Sequence, residues 1–161
     1  MSTSIAVLAI LIGVVAGLRS MTAPALVAWG ARLHHLRLEG TALAWLGSGV
    51  AVWLFTALAL GELVGDKLPQ TPSRKAAGPF AARLLSGALS GAAVTAGTSG
   101  ALAPGALLGA LGAVAGTLGG YAARTGLVRA LSVPDPLVAV VEDAVAVGGA
   151  VLIVVAAQAA H

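Results

Sequence analysis

The stretch LLSGALSGAAVTAGTSGALAPGALLGALGAVAGTLGGYAA, residues 84–123, runs for 40 residues without a formal charge. A second stretch, TALAWLGSGVAVWLFTALALG, residues 41–61, runs for 21. A helix rises about 1.5 Å per residue, so roughly 20 apolar residues cross a hydrocarbon core about 30 Å thick. These two stretches set the fold class that the sequence predicts: an all-α integral membrane protein.

The rest of the chain agrees. It is 58% hydrophobic and 9% charged, where a soluble domain carries about a quarter charged residues. A soluble chain of 161 residues could not hide that much apolar surface. The length suits one polytopic membrane domain over residues 1–161. Glycine is abundant, at 22 residues, and small residues let helix backbones approach closely in lipid. There is no cysteine, which removes disulfides, thiolate metal sites and thiol nucleophiles together. The nine Lys and Arg are dispersed, so they read as topology signals and not as a nucleic-acid surface.

Working outward, five hydrophobic segments form the predicted bundle. The first, Ile5–Leu18, is short for a span, and continues past Arg19 and Pro24 into Ala23–Ala31. It is either one tilted, broken helix or a re-entrant hairpin near Gly17–Pro24. The others are Thr41–Gly65, Phe80–Ala101, Gly105–Ala123 and Leu137–Ala160, the fifth also a candidate for a break. Lys67–Pro79, with three prolines and three cations, reads as an aqueous connection. Gly87 and Gly91 form a G-x-x-x-G pair, and Gly105, Gly109, Gly112 and Gly116 extend the pattern. Such faces predict close packing against a neighbour, and the expected partners are the lipid bilayer and a homo-oligomer of this chain. With five crossings, Lys67, Arg74, Lys75, Arg83, Arg124 and Arg129 fall on the N-terminal side, against Arg19, Arg32 and Arg37 opposite. Positive charge favours the cytoplasm, so the N-terminus is expected there, in a bacterial inner membrane. A faint echo joins Gly17–Pro24 to Gly126–Pro134, each followed by Leu-Val-Ala. Under five crossings it would be a weak inverted repeat.

Charge inside such a chain marks a pathway, a binding site or a helix clamp. Glu62 and Asp66 are four apart and share a helix face. They could be solvated at a helix end, or face a polar cavity. Glu142 and Asp143 lie more than a turn past Pro136, beyond the reach of the helix dipole. Arg19 is the natural partner for one of these acids. Arg83, Arg124 and Arg129 are expected to snorkel to the interface. His34 and His35, with Glu39 nearby, are a weak metal signal. Gly97-Thr98-Ser99-Gly100-Ala101 misses a nucleophile elbow at its last position. No nucleotide-binding or zinc-peptidase motif is present, so no cofactor is expected, and an enzyme, at best one acting on a lipid headgroup through Glu62 and Asp66, is the least favoured reading.

Four motifs together resemble a known family. They are Gly17-Leu18-Arg19-Ser20, Gly61–Pro72 (GELVGDKLPQTP), Phe80–Gly91, and Val141-Glu142-Asp143-Ala144. In this order and spacing the chain looks like the bacterial membrane family catalogued as domain of unknown function 4126, over nearly its whole length. The family has Ala where Gly65 stands and a longer polar stretch before the third segment. The resemblance implies a small polytopic inner-membrane protein, and no substrate or reaction. The residues support a small transporter or channel for a cation or proton-coupled solute, with a site built by Arg19, Glu62, Asp66, Glu142 and Asp143. The alternative is a lipid-binding or scaffold protein whose ion pairs hold helices together.

Overall fold

The computed structural model describes residues 1–65, 76–99, 101–132 and 134–160. Asp66, Lys67, Arg74 and Lys75 lie outside the described residues. Among the described residues the chain is helical throughout, with no strand: α1 Thr3–Leu18, α2 Thr22–Arg32, a 3-10 turn Ala44–Gly47, α3 Gly49–Gly65, α4 Ala77–Ser99, α5 Leu102–Leu131 and α6 Asp135–Ala159. Two stretches, Leu102–Ala130 and Leu137–Ala159, are long and apolar enough to cross a membrane; α1 and α3 are apolar but shorter. The five expected segments are thus six helices. The first segment is divided into α1 and α2, and the fifth runs unbroken as α6.

Glycine decides how the helices meet. On α5, a Cβ at Gly105 or Gly109 would collide with the backbone of Gly91 or Gly87 on α4. One at Gly112 or Gly116 would collide with the backbone of Ile10 or Val14 on α1. Two adjacent stripes of one helix therefore hold two neighbours at backbone contact, as small residues allow. The glycine faces named for self-association are filled within this chain.

The same contacts give directions. Gly112, Gly116 and Gly120 meet Ile10, Val14 and Leu18 in rising order, so α1 and α5 are parallel. Gly87 meets Ala113 while Gly91 meets Gly105, so α4 is antiparallel to α5. Val15 lies beside Gly149 and Arg19 beside Asp143, so α6 opposes α1. Gly30 meets Val154 and His35 bonds Gln158, with Thr22 near Val147, so α2 follows α6. Trp29 donates to Thr56 while Met21 donates to Glu62, so α3 opposes α2. Successive helices alternate, and α1–α2 is a hairpin.

That register corrects the inverted repeat. Both copies of the echo straddle a helix-to-helix junction, one at α1–α2 and one at α5–α6. Because α1 and α5 point the same way, the two units are related without inversion.

The core is Ile12, Val27, Leu36, Leu46, Val94 and Ile153 with alanines packed between them. The outward faces are apolar too: Val50, Leu85, Leu107, Leu111 and Leu152 are all exposed.

Candidate functional site

Helix α1 stops at Leu18. Arg19 adopts an extended backbone, φ −138°, and its N–H closes the last turn onto the Val15 carbonyl. Three residues later α2 begins, with Met21 as its N-cap and no capping bond from its own side chain. A break of this kind frees backbone N–H groups that must find acceptors. Glu62 supplies them from α3. Its Oε1 accepts from the Ser20 N–H and the Ser20 hydroxyl, each at 2.8 Å, and its Oε2 accepts from the Met21 N–H at 2.8 Å. One carboxylate thus caps the start of α2 in trans, where the helix dipole also favours an anion.

Three arginines each stand opposite a carboxylate at this end of the bundle. Arg83, in the second turn of α4, brings Nη2 to 3.9 Å from Glu62 Oε1 and is 4% exposed. Arg19 is completely buried, and its Nη2 lies 2.5 Å from Asp143 Oδ1. Arg124 stands 3.5 Å from Glu142 Oε2. Glu142 and Asp143 are neighbours on α6, about 100° apart around the helix, so each addresses a different helix. One reaches α5 and the other the end of α1.

Alternation of the helices explains why these groups share one level. The ends of α1, α3 and α5 and the starts of α2, α4 and α6 all lie at the same end of the bundle. That end carries Arg19, Glu62, Arg83, Arg124, Glu142 and Asp143. Beneath it, Thr117 Oγ1 donates to the Gly17 carbonyl across the α1–α5 contact, at 3.3 Å.

Four of the five residues picked out in the sequence are therefore in one layer: Arg19, Glu62, Glu142 and Asp143. Asp66 lies outside the described residues. Arg83 and Arg124 were expected to snorkel outward, and both instead turn inward to carboxylates. The signal was in the spacing. Arg83 is four residues before Gly87, and Arg124 is four after Gly120, so each continues a glycine stripe that faces a neighbour. Ser20 entered only as the last residue of the Gly17–Ser20 motif, without a role, and the backbone of Met21 was not singled out.

His34 and His35 sit at the other end of the bundle. His34 Nδ1 lies 3.1 Å from Glu39 Oε1, and His35 bonds Gln158. Among the described residues no group of three or more His, Asp or Glu is placed to hold a metal ion. The layer at the helix break can exchange hydrogen bonds between carboxylates and guanidinium groups, and it can bind or release a proton or a cation at a carboxylate.

Compared with protein-family models, curated proteins and solved structures, the chain matches none.

Proposed function

We propose that the chain is a multi-pass protein of the bacterial inner membrane and a small transporter or channel for a cation or a proton-coupled solute. Its site is the layer of Arg19, Glu62, Glu142 and Asp143, joined on sequence grounds by Asp66. The observation that carries this reading is Glu62 holding the α1–α2 break. Charged groups gathered at a helix break inside an apolar bundle are costly unless they serve a pathway, a binding site or a clamp. Ionised, Glu62 accepts three hydrogen bonds and locks the break. Protonated, or claimed by a cation, it loses acceptor capacity and the hairpin can shift.

The membrane part rests on the outward apolar faces, which water would not tolerate over so large an area. The likeness of Gly17–Ser20, Gly61–Pro72, Phe80–Gly91 and Val141–Ala144 to family 4126 belongs to the same reading. Alternating helices change the orientation expected from five crossings. Arg19, Arg83, Arg124 and Arg129 fall at one end, with Lys67, Arg74 and Lys75 in the sequence between α3 and α4; Arg32 and Arg37 fall at the other, with both termini. Positive charge then assigns the charged layer to the cytoplasmic side and the termini to the outside. Self-association would use faces other than the glycine stripes.

Flux in liposomes tests this. Wild-type protein should carry protons or monovalent cations above the protein-free background, and Glu62→Gln should return flux to that background while still folding. Equal flux in wild type and Glu62→Gln would sink the proposal.

A second reading has its own observation: each described carboxylate of the layer stands opposite an arginine. Such pairs can be clamps in a scaffold or lipid-binding protein. Flux and an exchange of Arg124 with Glu142 separate the readings. If wild type carries no flux above background and the exchanged protein folds as well as wild type, the pair is a clamp. If folding returns without flux, the positions of the charges belong to transport.

A further inference from the structure

The end of the molecule opposite the charged layer holds a polar concavity. Arg32 closes α2, and the chain then curls back through His34 and Gly40, whose φ values of 60° and 77° lie in the left-handed region. The 3-10 turn Ala44–Gly47 completes the rim before α3 starts. The cavity measures about 530 Å³, within the range of ligand pockets, roughly 300–1,000 Å³. Arg32, His34, Glu39 and Ser48 form its polar wall, and Leu38 and Ala44 its apolar one.

Both signs of charge face one space. The Glu39 carboxyl is held below the usual carboxylate range, first by its own backbone N–H and then by the His34 ring. Arg32 is always charged, and its planar fork suits phosphate oxygens. Ser48 accepts from the Ala51 N–H at 3.2 Å and keeps its own hydroxyl proton to donate. On the 3-10 turn and the start of α3, Trp45, Val50 and Trp53 are 49%, 80% and 66% exposed. Aromatic side chains of this kind collect where headgroups meet hydrocarbon.

We propose that this concavity binds the headgroup of a phospholipid bearing a phosphodiester and a primary ammonium. The phosphate lies on Arg32 and the Ser48 hydroxyl, the ammonium donates to Glu39, and the acyl chains run along Trp45, Val50 and Trp53. This rests on the membrane reading and is independent of transport. A trimethylated ammonium has no N–H to donate, and a glycerol headgroup has no charge for Glu39, so the site discriminates among lipids of similar size.

Native mass spectrometry of the whole chain, mixed with equal amounts of phosphatidylethanolamine, phosphatidylcholine and phosphatidylglycerol, tests it. Wild-type protein should retain phosphatidylethanolamine in roughly two- to fivefold preference, the scale of one exposed charge pair. Glu39→Gln should erase the preference over phosphatidylcholine, and Arg32→Gln should weaken retention of all three. Equal retention by wild type, or an undiminished preference in Glu39→Gln, overturns the proposal. Soluble glycerophosphoethanolamine at the same concentration should not displace the lipid; displacement would mean that the site reads a free solute, and the lipid assignment falls. Protein that stays with vesicles but shows no preference contradicts this site alone. Protein that leaves the bilayer contradicts the membrane reading beneath it.

Discussion

Glu62 joins the local structure to the proposed chemistry, because the same oxygens that cap α2 are the ones a proton or cation would claim. Removing them should be costly to the fold. Glu62→Ala leaves the part-buried Ser20 and Met21 N–H groups without their acceptor, at about 0.5–1.5 kcal/mol for each lost bond. Glu62→Gln keeps one carbonyl oxygen and should lose less, so thermal unfolding should rank wild type, Gln, then Ala. Equal melting temperatures for all three would contradict the capping role. Asp143 poses a sharper case, since Arg19 is completely buried. Asp143→Ala leaves a buried guanidinium without this carboxylate, and breaking such a pair costs about 3–5 kcal/mol. Replacing both, as Arg19→Met with Asp143→Leu, should recover much of that loss, because the uncompensated charge goes with the pair. A double variant as unstable as Asp143→Ala would show that the two residues act separately.

Helix α5 shows what patterning does and does not carry. Glycines four apart mark a face that will meet another backbone, and Gly105, Gly109, Gly112 and Gly116 do so. The pattern has no sign, so it could not say which helix was met or in which direction. The division of α1 from α2 was legible because Gly17, Arg19 and Pro24 interrupt an apolar run. Whether the chain went on or turned back depended on Glu62, more than forty residues away, and no local spacing encodes that. Arg83 and Arg124 were misread for a related reason: near the end of an apolar run, an inward and an outward arginine look alike unless the neighbouring stripe is followed. The glycines also give a graded test. Gly109→Ala drives a Cβ into the Gly87 backbone and should separate α4 from α5, with loss of the folded state in detergent. A Cβ added at Gly119 or Gly126 on the same helix would meet nothing within 4 Å. Alanine there should stabilise by about 0.5–1 kcal/mol through helix propensity. Equal effects at all three positions would contradict this packing.

Among the described residues the whole molecule is an alternating arrangement of six helices. The helix ends on one side gather the charges, and the opposite side gathers the loop from Leu33 to Leu43. Among the described residues one end has the break, Glu62, Glu142, Asp143 and most of the arginines, and the other has the polar concavity with Glu39 and both termini. The hairpin of α1 and α2 decides the topology, because a single crossing there would put the N-terminus and the loop from Leu33 to Leu43 on opposite sides. Native cysteine is absent, so introduced cysteines report without background. The decisive measurement is labelling of Ser2→Cys, Arg37→Cys and Thr125→Cys in intact cells with a membrane-impermeant thiol reagent. The hairpin predicts that residues 2 and 37 label from outside and residue 125 only after permeabilisation. Residues 2 and 37 labelling from opposite sides would mean that α1 and α2 cross as one segment, and the site proposed at their junction would not exist in this form.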